Sequence, residues 1–281
     1  MSELISVIVT TFNREDALNA VLRSLSMQGD SDFEVIVADD GSDATTARLI
    51  DAWKPRFAHR LEHIWHADQG FRAAEIRNRA ILVAHGRYCI FLDGDCIVRP
   101  DFVATHRRLA ERGWFVTGNR VLLSPSLTTS VLRENRTPET WGAGRWIGER
   151  SRGGVNRLSA LLTLPLGVLR RIRKNAWQGA RSCNLAIWRS DLDRVDGFDA
   201  DYRGWGKEDS DIIARLLHAG VRRKDGIFAT GVIHLWHPEA ERSQLAQNET
   251  RLADVLAGDR VRALRGLSSL QATSTTPVRA S

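Results

Sequence analysis

Apolar residues recur along this chain with two distinct periods, and the alternation between them predicts its architecture. Residues 4–9 form a β-branched apolar run, the mark of a strand buried on both faces. Ala17, Leu18, Val21, Leu22 and Leu25 then follow at helical spacing. The same succession repeats: strand 33–38 and helix 44–53, a shorter strand at 61–65 and helix 73–84, strand 88–92 and helix 101–111. Strands alternating with helices predict an α/β fold, with a mostly parallel sheet flanked by helices. Ligands of such sheets bind beyond the carboxyl ends of the strands. Thr10, Asp39, Asp40, Asp93 and Asp95 all stand at those ends, and this convergence is the first pointer to function.

Between residues 132 and 179 the periodicity fades. Eight basic residues face one acid, Glu149, between Arg145 and Lys174. Inside this basic insertion, residues 158–169 are apolar, broken by Pro165, and run directly into Arg170-Arg171-Ile172-Arg173-Lys174. That segment reads either as a contact with an anionic membrane surface or as a packed or dimer-forming element with a solvated basic end. Order resumes with a strand at 182–188, a helix at 208–219 and a strand at 231–236. One domain is expected over 1–267, with a donor half at about 1–120, an acceptor half at about 180–240 and a C-terminal helix at about 241–267. The Ser/Thr/Ala-rich tail 268–281 is expected to be disordered.

Composition changes this picture little. The chain has 281 residues, 43% of them hydrophobic and 26% charged, as in ordinary globular proteins. No run approaches the roughly 20 apolar residues of a membrane span, and the start lacks a secretory n-region, so a cytoplasmic location is expected. Cys89, Cys96 and Cys183 are odd in number and lack CxxC spacing, which indicates neither a disulfide framework nor a zinc site. The net charge of +6 decides nothing alone.

The chemistry gathers in three places. Asp93-Gly94-Asp95 puts two hard oxygen donors just past a buried strand, where a divalent cation could neutralise a diphosphate leaving group; a simple Asp/Gly turn is the plainer alternative. Asp39-Asp40-Gly41-Ser42 could accept hydrogen bonds from a base or ribose, or merely cap a helix. Thr10 and Phe12 face it from the first strand end, and Arg72 and Arg77 could face a diphosphate or lie on a solvated helix face. Gly204-Trp205-Gly206-Lys207-Glu208-Asp209-Ser210-Asp211 combines close backbone approach, an aromatic plate for a sugar ring and ionised acids at a helix start. Asp209 could there take a proton from an acceptor hydroxyl. His234 and His237 stand late in the chain; three residues apart in an extended segment, they are expected on opposite faces, so one metal would not easily take both. Either could complete a metal shell or be a buried, hydrogen-bonded histidine.

With these residues in hand, the chain resembles a family-two glycosyltransferase of the GT-A fold over residues 5–238. Ser6-Val7-Ile8-Val9-Thr10-Thr11-Phe12-Asn13-Arg14, Val37-Ala38-Asp39-Asp40-Gly41-Ser42 and Phe91-Leu92-Asp93-Gly94-Asp95 carry the likeness in order and spacing. Gly197-Phe198-Asp199 and the 204–211 motif resemble the acceptor half of β-1,4-galactosyltransferases and chondroitin-polymerase-type enzymes. The resemblance implies inverting transfer from a UDP-sugar with Mn2+ or Mg2+. It implies that Thr10, Asp40 and Asp39 bind the uridine, that Asp93 contacts ribose or metal, and that Asp95 and His234 bind metal with His237 as the alternative; Phe12, Arg72, Arg77 and Gly94 are assigned to the donor side beside them. Trp205, Gly206 and Glu208 would hold a carbohydrate acceptor, free or lipid-linked, and Asp209 would be the base. Lys207 departs from the galactosyltransferase pattern, so galactose specificity does not transfer. A bacterial surface-polysaccharide or lipopolysaccharide role is expected. A sugar-nucleotide pyrophosphorylase would carry a Gly-rich basic loop where Thr10-Thr11-Phe12-Asn13 stands. A nucleic-acid-binding module would leave the aligned carboxylates unexplained.

Overall fold

The computed structural model describes residues 3–239 and 241–274. In chain order they form β1 (Ile5–Thr11), α1 (Glu15–Ser26), β2 (Phe33–Asp39), α2 (Ala44–Trp53), β3 (Leu61–Trp65), α3 (Ala73–Val83), β4 (Tyr88–Asp93) and β5 (Cys96–Ile97). There follow α4 (Phe102–Leu109), β6 (Trp114–Thr117), β7 (Arg120–Leu122), α5 (Pro125–Arg133), α6 (Ala143–Ser151), β8 (Asn184–Trp188) and α7 (Arg189–Val195). The chain continues through α8 (Glu208–His218), β9 (Arg222–Asp225), β10 (Val232–His234), α9 (Leu245–Ala257) and α10 (Leu267–Ser274).

Seven strands make the main sheet in the order β3-β2-β1-β4-β8-β6-β9. β1 runs parallel to β2 and β4, and β2 to β3, while β8 is antiparallel to both its neighbours. The expected α/β class with a mostly parallel sheet is the one observed. The alternation of β1 explains its apolar run: Ile5, Val7 and Val9 enter a core with α1, while Ile8 enters the opposite core with α3 and α8. Each such side chain, fully buried, contributes about 1.5–3 kcal/mol. The register then sets the site, because Thr10 pairs with Asp93 and Thr11 with Asp39. All three strand ends therefore arrive at one level.

A small sheet in the order β5-β10-β7 lies beyond that edge, with His234 opposite Cys96. Its strand β10 lies within the strand expected at 231–236, while β5, β7, β6 and β9 are absent from the sequence expectation. β9 reads Arg-Arg-Lys-Asp, and it enters the sheet because Arg223 pairs with Asp225 at 2.7 Å and Lys224 with Glu111 at 3.0 Å. The single C-terminal helix expected over 241–267 is instead α9, followed by irregular chain. Disorder from Ser268 is not what the structure shows. Leu267 is buried, and Ser268 donates to the Asp196 carboxylate through N–H (2.9 Å) and Oγ (2.7 Å), which anchors α10. Residues 275–281 of the expected tail lie outside the described residues. Among the described residues, no helix is long and apolar enough to cross a membrane.

Candidate active site

Asp39 closes β2 and is fully buried. Its Oδ1 accepts the Ser42 N–H at 2.8 Å, and its Oδ2 lies 2.9 Å from Nε2 of His63. Burial pushes this carboxyl up, but the bonds from His63 and Ser42 outweigh it and hold the group below its ordinary value. The Asp40 carboxylate is fixed by two bonds of its own, with Oδ1 2.7 Å from Nε2 of His66 and Oδ2 accepting the Arg72 N–H at 2.8 Å. Sequence reasoning missed both histidines; His63 lies in the middle of β3 and His66 just past its end. Arg72 is buried, and its guanidinium turns to the Ala67 carbonyl and Glu75, away from either role expected of it. The cause is its place immediately before α3, where its own N–H faces Asp40. Phe12 and Trp65 are exposed beside this loop; the Trp65 indole donates to the Ser42 carbonyl at 3.0 Å, and the Asn13 N–H bonds Ser42 Oγ at 2.9 Å.

Arg77 is the hub of the site. It is 4% exposed and lies on no solvated face. Its Nε donates to Thr10 Oγ1 (3.1 Å), Nη1 meets Glu208 Oε1 (3.0 Å) and Nη2 meets Asp93 Oδ1 (3.4 Å). One guanidinium thus ties β1, β4 and α8, with each of its three nitrogens donating to a protein partner. Glu208 is correspondingly buried against Arg77. Gly94 is explained by packing: its N–H bonds the Thr10 carbonyl at 2.7 Å, and a Cβ there would sit 3.0 Å from Thr10 O and the Thr11 side chain.

Asp95 meets both late histidines. His234 Nε2 lies 3.6 Å from its Oδ1 and His237 Nε2 lies 3.3 Å from its Oδ2, and one ligand atom from each of the three falls within 4.8 Å of the others. The expectation of opposite faces fails because β10 ends at His234. Beyond it the Leu235 N–H bonds the Asp95 carbonyl (2.9 Å) and the Trp236 N–H bonds Thr128 Oγ1 (2.9 Å), which curls the chain around Asp95. This donor set fits a divalent cation such as manganese. Burial, and then nearby Arg120, push His234 down to about 4, so its ring is neutral at pH 7 with a lone pair to give. His237 Nδ1 donates to the Pro238 carbonyl at 2.7 Å, which leaves Nε2 as its acceptor atom when neutral. Burial raises the carboxyls of Asp93 and Asp95, partly offset by Arg77 at Asp93 and by His237 at Asp95. Sequence reasoning also missed Arg120, which stands near both acids.

The 204–211 motif folds as a glycine turn feeding α8. Gly204 and Gly206 take positive φ (69° and 106°), and Lys207 does too at 79°. Asn248 of α9 clamps the turn, its Nδ2 donating to the carbonyls of Arg203 and Gly206 at 3.0 Å each. Trp205 stays exposed under the Arg242 guanidinium, 4.9 Å from its ring. Asp209 is half-buried; burial and the like charge of Glu208 push its carboxyl up to about 7, against the pull of Arg77. A cavity of about 640 Å3 lies against Phe71, Trp205 and Gln244, while neither Asp95 nor Asp209 lines it. The clustered charges, rather than this cavity, mark the chemistry, because perturbed acids at strand ends can bind metal and move protons.

Comparisons with known proteins agree with this arrangement. The family model described as glycosyl transferase family 2 matches residues 6–158, and that described as the N-terminal domain of galactosyltransferase matches residues 171–237. Validoxylamine A glucosyltransferase of Streptomyces hygroscopicus subsp. limoneus is 29% identical over 228 residues, spanning 78% of this chain and 49% of that protein. Chondroitin synthase of Escherichia coli is 23% identical over 237 residues, 77% of this chain and 32% of its own length. The chain thus spans about half or less of the length of these curated relatives. Among solved structures, S. aureus TarS 1–349 in complex with UDP covers 91% of this chain and 64% of that one at 15% identity, with a TM-score of 0.60. A mannosyltransferase from Pyrobaculum calidifontis, in complex with GDP-Man and Mn2+, covers 99% of this chain and 77% of its own at 16% identity and TM-score 0.56. At such identities the structural likeness speaks to the fold alone.

Proposed function

Because the chain belongs to glycosyl transferase family 2, we propose that it moves a sugar from a UDP-sugar to a carbohydrate acceptor, with inversion and with Mn2+ or Mg2+. The observation that carries this reading is the meeting of Asp95, His234 and His237 beside the Arg77 hub that binds Asp93 and Glu208. A divalent cation held by those three ligands would supply positive charge against the departing diphosphate. Thr10, Phe12, Asp39 and Asp40 bound the nucleotide pocket, with His63 and His66 keeping the two carboxylates oriented. Asp93 and Gly94 lie between that pocket and the cation ligands. Trp205, Gly206 and Glu208 form the acceptor side, where the exposed indole offers an apolar plate to a sugar ring. Asp209 takes the proton of the attacking hydroxyl, and its carboxyl at about 7 suits a base working near neutrality.

One structural neighbour binds UDP and another GDP-Man with Mn2+, in keeping with a nucleotide-sugar donor and a divalent cation. The chondroitin synthase among the relatives supports a role in bacterial surface-polysaccharide or lipopolysaccharide synthesis on the cytoplasmic side. A lipid-linked acceptor would place the reaction at a membrane surface. The test is UDP release from a panel of UDP-sugars, with Mn2+, with Mg2+ and with EDTA. Metal-dependent release from at least one sugar is expected. Release that is undiminished in EDTA, or absent from every UDP-sugar, would overturn the reading.

A further inference from the structure

We propose that the 162–174 surface docks the protein onto an anionic lipid leaflet. Leu162 (52%), Leu164 (41%), Val168 (77%), Leu169 (56%) and Ile172 (75%) are exposed here, a concentration of bare aliphatic side chains within eleven residues. Exposed apolar groups this close together mark an interaction surface. They are not on an amphipathic helix. Pro165 divides the segment into short turns, Ser159–Leu161 and Gly167–Arg171.

Arg170 keeps these side chains facing outward. It is buried, and its guanidinium donates to the carbonyls of Asp225 (2.9 Å), Ile227 (2.7 Å) and Leu164 (2.8 Å). The Leu164 N–H bonds the Phe228 carbonyl at 2.9 Å. The loop is therefore pinned to the β9–β10 connection, and its apolar groups cannot fold inward without breaking that clamp. Of the basic run at 170–174, Arg170 thus serves the fold and Arg171 pairs with Glu111 at 2.7 Å. Arg157, Arg173 and Lys174 are exposed and make no ion pair among the described residues.

Aliphatic groups flanked by the unpaired cations Arg173 and Lys174 fit a leaflet of acyl chains under anionic headgroups. A two-fold contact with a second copy would set the same cations against each other. A single-stranded nucleic-acid site would present aromatic rings for stacking and a duplex site mainly cations, whereas the five exposed side chains here are aliphatic.

The experiment is co-sedimentation with phosphatidylcholine vesicles carrying increasing phosphatidylglycerol, with UDP release measured in parallel without vesicles. Binding should rise with phosphatidylglycerol and fall with NaCl. R173Q/K174Q should weaken it by about 30-fold, the effect of two charges near an anionic leaflet. V168S/I172S should abolish it, and both variants should keep the wild-type melting temperature and vesicle-free UDP release. Full recovery in the supernatant at every composition would overturn docking. So would binding unchanged in V168S/I172S, or a dimer in sedimentation velocity that this variant dissolves without any vesicle binding. None of these outcomes depends on the transfer reading, which the UDP assay tests separately.

Discussion

Asp209 stands half-buried at the start of α8 with Glu208 beside it, and its carboxyl is pushed up to about 7. A base must be ionised to accept a proton, so turnover should climb as pH rises to about 7 and level off above it. Asp209→Asn should lower turnover by about two to four orders of magnitude and flatten that profile. UDP binding, measured by calorimetry, should survive. Stability moves the other way. The folded value lies above the ordinary 3.8, so the folded state gains from the proton at low pH, and that contribution is lost as pH rises through about 7. Above that pH Asp209→Asn should melt higher than wild type, by about 2–4 °C; a lower melting point would make Asp209 a helix cap. Arg77 presents the opposite case, a buried cation answering two carboxylates. Arg77→Met should cost about 3–5 kcal/mol in urea unfolding, since Glu208 and Asp93 lose their partner. A loss under about 1 kcal/mol would mean that solvent readily replaces it.

At the level of elements, the acceptor side depends on α9 as much as on α8. The Gly204–Gly206 turn takes positive φ values that glycine allows at no steric cost, and the two carbonyl bonds from the buried Asn248 fix it under Trp205. A Cβ on Gly204 would also meet the Gln244 side chain at 2.8 Å, so turn and helix are fitted to each other. Asn248→Ala frees the turn at a cost of about 1–3 kcal/mol in unsatisfied carbonyls. Transfer to an acceptor should fall by about tenfold, the effect of displacing a positioned group. UDP-sugar hydrolysis in the absence of acceptor should change little. Equal losses in both assays would assign α9 to the donor side.

Across the whole molecule, the two sheets meet at one cation-binding edge: Asp95 follows β4 of the large sheet, and His234 ends β10 of the small one. A cation there joins segments about 140 residues apart in sequence, and ligand bound only to the folded state adds stability. Mn2+ at 100 times its dissociation constant should contribute about 2.7 kcal/mol. Differential scanning calorimetry should show the melting temperature rising with Mn2+ in wild type and staying still in Asp95→Ala and His237→Ala. An equal rise in both variants would place the cation elsewhere.

The parallel sheet, the strand ends bearing Thr10, Asp39, Asp40, Asp93 and Asp95, and the motif opening α8 were legible in the sequence. Each is local: a continuous apolar run declares a strand buried on both faces, and whatever polar residue ends it must stand at the sheet edge. The roles of Arg72, Arg77, Arg170, His63 and His66 were not legible, because a buried charge is identified only by its partner. The Arg77 partner Glu208 lies 131 residues away, and Arg170 bonds carbonyls 55 and 57 residues on. β9 was hidden for the same reason, since its four polar residues are admitted to the sheet by ion pairs rather than by hydrophobicity. The histidine pair shows the division most clearly. Residue spacing described His234 and His237 correctly only while the chain stayed extended. Where the strand stopped, and therefore whether both rings could face Asp95, was decided by backbone bonds to Asp95 and Thr128, contacts that exist only in the folded molecule.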